Sequence, residues 1–137
     1  MKMHFTIIIL LISFSVMFSF SFTNPITQFQ VNGQEPAFAK FFVYVNNTGG
    51  GNAKPSDFTI YTGGTPSSIT GSSNGVIVSY MPSKDLSIYI QNPIINSVPY
   101  GMQISGDCQK SGNYNVKLDV NPGDKKNCFL TMMYPNF

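Results

Sequence analysis

The chain has 137 residues, 42% hydrophobic and 14% aromatic, which is enough to build one domain around a core. Only 10% are charged, the net charge is +2 and there is no arginine, so bidentate phosphate or guanine recognition and strong electrostatic steering are excluded and no nucleic-acid partner is expected. The single histidine, His4, stands in an apolar leader, which removes Ser-His-Asp and Cys-His catalysis from the rest of the chain.

Residues Met1 to Phe22 read as a secretory signal. Lys2 and His4 give a short cationic start, and Phe5 to Phe22 is an apolar run broken only by Thr6, Ser13, Ser15, Ser19 and Ser21. Ser19 and Ser21, or Ser21 and Thr23, offer a small-x-small cleavage site, and Pro25 ends any helix. The expected division is a signal peptide over 1–23, an extended lead-in over 24–36 and a β domain over 37–137. A run of about 18 residues is also near the lower limit of a membrane span, so an uncleaved anchor is the rival reading. Either way the expected location is secreted or on the extracellular cell surface, with the membrane reached only through the leader.

After the lead-in, Ala37 to Val45 (AFAKFFVYV) is aromatic and β-branched enough for a strand. Asn46 to Pro55 is a Gly-rich turn. Alternation predicts a second strand over Asp57–Thr62, then a Gly63-Gly64 turn and a short strand at Ser67–Thr70. Asn74-Gly75 marks a tight turn before Val76–Tyr80. Pro82–Asp85 reads as a turn and Leu86–Ile90 as a strand. A wandering segment with Pro93 and Pro99 follows. Further strands are expected at Tyr100–Ser105 and Asn113–Val120, and after an NPGD turn at Cys128–Tyr134. No sustained helical stripe occurs outside the leader. Seven or eight short strands at this spacing predict an all-β, Greek-key β-sandwich of the prealbumin or immunoglobulin-like type.

Cys108 and Cys128 are an even pair in an exported chain. A disulfide between them closes a loop of about 20 residues, worth about 3 kcal/mol in the chain-entropy account. A metal site is the alternative, but two cysteines without histidine fall short of four zinc ligands. No metal or cofactor is expected.

Several segments carry a resemblance. Lys40 lies in the first strand, followed by VNNTGGGNAKPSDFTI; then come GVIVSYMPSKDLSIYI, ISGDC, NPGDKKNC and a last strand ending near Asn136. Over about residues 37–136 this resembles the prealbumin-like or CnaB-type domains of secreted and cell-surface proteins in archaea and bacteria. The resemblance implies a structural role in stalks, shafts or adhesin arms. In some members it also implies an isopeptide bond, which here would join Lys40 to Asn136. The family's assisting acid is missing, because the corresponding position is Gln91, or Ile90 with a slipped register, and an amide is no general acid or base at neutral pH. The other reading of Lys40 is an outward strand residue with its stem on the sheet.

The acids Glu35, Asp57, Asp85, Asp107, Asp119 and Asp124 mostly flank predicted turns. Turn capping explains them better than paired carboxylates for glycoside hydrolysis or a calcium loop around Asp107 or Asp119 and Asp124. Gly49, Gly50 and Gly51 lack the Lys and Ser/Thr of a phosphate loop and read as a hairpin tip. Asn46-Asn47-Thr48 is a glycosylation sequon at Asn46. Of the adjacent Phe41 and Phe42, one must face outward and is the interface candidate. The expected function is a secreted or surface-displayed structural or adhesion-type module without catalytic activity. Its partners would be cell-surface proteins, glycans or another copy of itself. The alternatives are a carbohydrate- or protein-binding domain using loops at one end of the sandwich, and a small secreted enzyme or inhibitor.

Overall fold

The computed structural model describes residues 34–135. The expected signal segment and cleavage site, most of the expected lead-in, and Asn136 lie outside the described residues.

The first strand, β1 (Ala37–Asn46), shows why this sequence makes sheets. Side chains alternate between the two faces of a strand. Ala37, Ala39, Phe41 and Val43 are fully buried, while Phe38, Lys40, Phe42 and Tyr44 take the other face. Phe41 is therefore a core residue and not a surface candidate. The same two-residue period runs through β10 (Asn115–Val120), where Val116, Leu118 and Val120 are buried and Asn115, Lys117 and Asp119 exposed.

The remaining strands are β2 (Thr59–Tyr61), β3 (Ser68–Thr70), β4 (Val76–Tyr80), β5 (Ser83–Ile90), β6 (Ile94–Ile95), β7 (Val98–Pro99), β8 (Gly101–Gly106), β9 (Gln109–Lys110) and β11 (Lys125–Met133). Almost no helix accompanies them among the described residues, only a 3-10 turn at Pro55–Asp57. No helix there is long and apolar enough to cross a membrane. One sheet has the order β4-β1-β11-β8 and a second the order β3-β2-β5-β10-β9; β6 and β7 form a separate hairpin. β1 runs parallel to β11, and the other pairs are antiparallel. The buried faces of both sheets join in one cluster that includes Phe41, Val78 and Leu130 from the first and Ile60, Ile88 and Leu118 from the second. The fold is all-β and sandwich-like. Fully burying each such side chain contributes about 1.5–3 kcal/mol.

Three places depart from the sequence reading. The PSKD turn is instead the start of β5. Leu118 pairs with Leu86 but Val120 with Ser83, so an extra residue is absorbed as a bulge, with Asp85 at φ 54°. The freed Asp85 N–H donates to Asp119 Oδ1 at 2.7 Å. The wandering proline segment is a tight hairpin whose turn residues, Asn96 and Ser97, both have positive φ, as a two-residue turn between twisted strands requires. β9 has no counterpart in the predicted elements; two exposed polar residues carry no periodic signal.

Cys108 and Cys128 form a disulfide, with 5.2 Å between their Cα atoms and 20 residues of separation. It ties the segment after β8 to the middle of β11, and both sulfur positions lie in the core.

Candidate functional site

The outer face of the β4-β1-β11-β8 sheet collects apolar side chains that the core does not use. Phe42 and Tyr44 share a face of β1, and the parallel register sets Phe42 opposite Phe129 of β11. The rings of Phe42 and Phe129 stack with centroids 4.9 Å apart, and Tyr44 lies 6.4 Å from Phe42 and 6.5 Å from Phe129, all three nearly parallel. The spacing of the closest pair is that of adjacent strands, so sheet register alone brings the rings together. Lys40 Nζ sits 5.1 Å from the Phe42 ring centroid, within cation–π range. Ile77 of β4, opposite Lys40, is 60% exposed, and Phe38 and Tyr44 are 38% and 39% exposed.

Two glycines let this strip form. A Cβ at Gly75 would come within 2.5 Å of Lys40 Cε and 2.9 Å of a Phe42 ring carbon. A Cβ at Gly106 would come within 2.9 Å of the Phe129 ring. Both residues also have positive φ. Beside the strip, a groove is lined by Phe38, Lys40, Ile77, Lys125, Lys126 and Asn127. Lys126 is 3.5 Å from Asp124; Lys40 and Lys125 form no ion pair among the described residues. The other sheet carries a smaller aromatic pair, Tyr61 stacked on Tyr89 at 4.8 Å.

Lys40 thus stands on the outside of the sandwich, in register with Asn127. Asn136 lies outside the described residues. Gln91 is exposed on the opposite sheet, where Oε1 accepts from Ser68 Oγ at 3.0 Å, and Ile90 is in the core. Asn46 ends β1, exposed, and its Oδ1 accepts from the Thr48 N–H at 3.0 Å and the Thr48 hydroxyl at 2.5 Å.

Asp85, Asp107 and Asp119 line one cleft with Lys117 and Lys126. Their oxygens have structural work: Asp119 takes the Asp85 N–H, Asp107 Oδ2 takes the Asn127 N–H at 2.8 Å, and Asp85 lies 3.9 Å from Lys117 Nζ. No group of three or more metal-ligating side chains is arranged for a cation among the described residues. Asp124 caps its own turn, accepting the Asn121 N–H at 2.8 Å. That bond, reinforced by Lys126, holds its carboxyl below the ordinary range.

Sequence reasoning placed Phe42 beside Phe41 but did not find Phe129 as its partner or Ile77 on the same sheet face. Phe129 alternates with buried Cys128 and Leu130, so its outward aim was readable. That it meets Phe42 depends on the register of two strands far apart in the chain.

No family model matches this chain, and no curated protein matches it. Among solved structures, it is similar to a bacterial adhesin from Mobiluncus mulieris described as containing intramolecular disulfide, isopeptide and ester bond cross-links. The identity is 7% and the TM-score 0.50, over 73% of this chain and 42% of the adhesin chain. The chain therefore spans less than half the length of that structure, and the likeness concerns fold alone.

Proposed function

We propose that this chain is an exported, non-catalytic adhesion-type module, a Greek-key β-sandwich of the prealbumin or CnaB kind. It makes contact through the outer face of the β4-β1-β11-β8 sheet. The Greek-key reading is supported by sheet neighbours that are mostly non-consecutive in sequence. An adhesion-type role is in keeping with the adhesin among its structural neighbours and with a disulfide suited to an oxidising space.

The observation that carries the reading is the apolar strip on the outer face of the β4-β1-β11-β8 sheet. Tyr44 and Ile77 are exposed on it beside the half-buried stacked pair Phe42 and Phe129, whereas three of the four sheet edges, those at β3, β9 and β4, are short or engaged. β3 and β9 are short edge strands. The edge of β4 is engaged by Thr65, which exchanges two backbone hydrogen bonds with Ser79, each 2.9 Å. The face, rimmed by Lys40 and Lys125, complements a protein surface with an apolar centre and acidic fringe.

The test is retention under flow of beads coupled to the full chain, on surfaces carrying immobilised extracellular-matrix proteins. The triple variant Phe42→Ser, Tyr44→Ser, Ile77→Ser is expected to lose at least about tenfold in retention. Raised salt should weaken the wild type. The control Tyr61→Ser, Tyr89→Ser should behave as wild type. Equal retention of the triple variant, or none by the wild type, overturns the reading.

A further inference from the structure

We propose that Asn46 is a site of N-linked glycosylation, the acceptor being its Nδ2 and the donor a lipid-pyrophosphate-linked oligosaccharide. The proposal rests on the exported reading only for where the reaction happens.

Asn46-Asn47-Thr48 is the one N-x-S/T sequence without an intervening proline in the 137 residues. The chain presents it as an acceptor. Asn46 and Thr48 are exposed, while Asn47 between them is turned to structural duty. Asn47 Nδ2 donates to Ala53 O at 2.9 Å, and its Oδ1 accepts from the Tyr100 hydroxyl at 2.9 Å. The fold thus hangs on the middle residue and leaves the two reactive ones outside. The Thr48 hydroxyl reaches the Asn46 carboxamide oxygen, so the two groups an oligosaccharyltransferase reads are already adjacent. The Asn46 Nδ2 donates to no other described residue. Gly49 and Gly50 follow with φ of 104° and 129° and add no side chains of their own. Next to Asn46 and Thr48 is a cleft of about 400 Å³ walled by Pro99, Tyr114, Met133 and Tyr134, an apolar shelf on which a pyranose face can rest.

In the reaction, a bond forms between Nδ2 and the anomeric carbon of the first sugar. The bond from that carbon to the pyrophosphate oxygen breaks, its electron pair leaves with the lipid pyrophosphate, and Nδ2 gives up one proton. Nothing is oxidised or reduced.

A bland reading of the same contacts is a turn in which Asn46 Oδ1 only caps the backbone. Asn46→Asp separates the two, because it keeps the capping oxygen and removes the acceptor nitrogen. The purified full chain is incubated with a single-subunit oligosaccharyltransferase that accepts the plain sequon, together with its lipid-linked donor, and its intact mass is read. One glycan mass is expected on the wild type and on Thr48→Ser, and none on Asn46→Asp or Thr48→Ala, with circular dichroism unchanged in all four. An unmodified wild type beside a glycosylated control peptide overturns the proposal, as does an adduct that survives in Asn46→Asp. Neither outcome bears on bead retention, which the outer-face variants read separately.

Discussion

Tyr80 shows how a single polar atom is managed in this core. It is 3% exposed, and its hydroxyl donates to the Thr62 carbonyl at 2.8 Å. Burial disfavours the phenolate and pushes the Tyr80 pKa above its ordinary value. A tyrosine in the unfolded chain ionises at about pH 10. The stability contributed by Tyr80 is therefore complete below that pH and is lost as pH rises above it. Tyr80→Phe is expected to cost about 1 kcal/mol at neutral pH through the lost hydrogen bond, and to make the alkaline limb of a stability curve shallower. Denaturant melts from pH 7 to 11 would check both; an unchanged alkaline limb contradicts the account. Asp124 has the opposite sign. Its carboxyl is held down by the Asn121 N–H first and Lys126 second, so its contribution is present above the ordinary carboxylate range and lost as pH falls below it. Asp124→Asn should flatten the acid limb of the same curve while leaving the alkaline limb as it was.

At the scale of the element, β1 makes the strongest case, because two identical neighbours have opposite fates. Phe41 is fully buried and Phe42 packs on the outer face against Phe129. Phe41→Ala should cost about 3–5 kcal/mol, as large-to-small core changes do. Phe42→Ala should cost about 1 kcal/mol, mainly a lost aromatic pair. Urea melts of the two variants read the difference directly, and comparable losses would contradict the facing of β1. The period-2 alternation behind this contrast was legible in the sequence for β1, β4 and β10, whose extents follow from residues 37–45, 76–80 and 113–120. What stayed illegible was of two kinds. Turn chemistry misled at PSKD, where a bulge carries positive φ at Asp85 inside a strand rather than ending it. Long-range register was silent, since nothing local says that Phe42 lies against Phe129 or Ile77 opposite Lys40. The outer-face strip therefore came into view only with the pairing of β1 to β11.

Across the β-sheet region, one covalent link anchors β11 in the sheet where it pairs with β1. β11 is one of the two inner strands of its sheet, parallel to β1 on one side and antiparallel to β8 on the other. Cys128 opposes Phe41 across the first boundary and Gly106 across the second, so the disulfide to Cys108 staples the strand at the point where both registers meet. β1 and β11 are far apart in the chain, and closing so long a loop is entropically costly. The link cannot reduce that cost, because it closes only the short loop between residues 108 and 128. It acts instead on the return from β8 through β9 and β10, which carries the chain to the second sheet and back. Replacing both cysteines with alanine should lower stability by about 2–5 kcal/mol while leaving the all-β circular dichroism intact at low temperature. The outer-face strip depends on β11 holding its register, so the same variant should lose bead retention at a temperature well below the wild type, in step with its melting. Retention that fails at temperatures where the variant is still folded would contradict this account, and would mean that the strip needs the disulfide itself and not only a folded core beneath it.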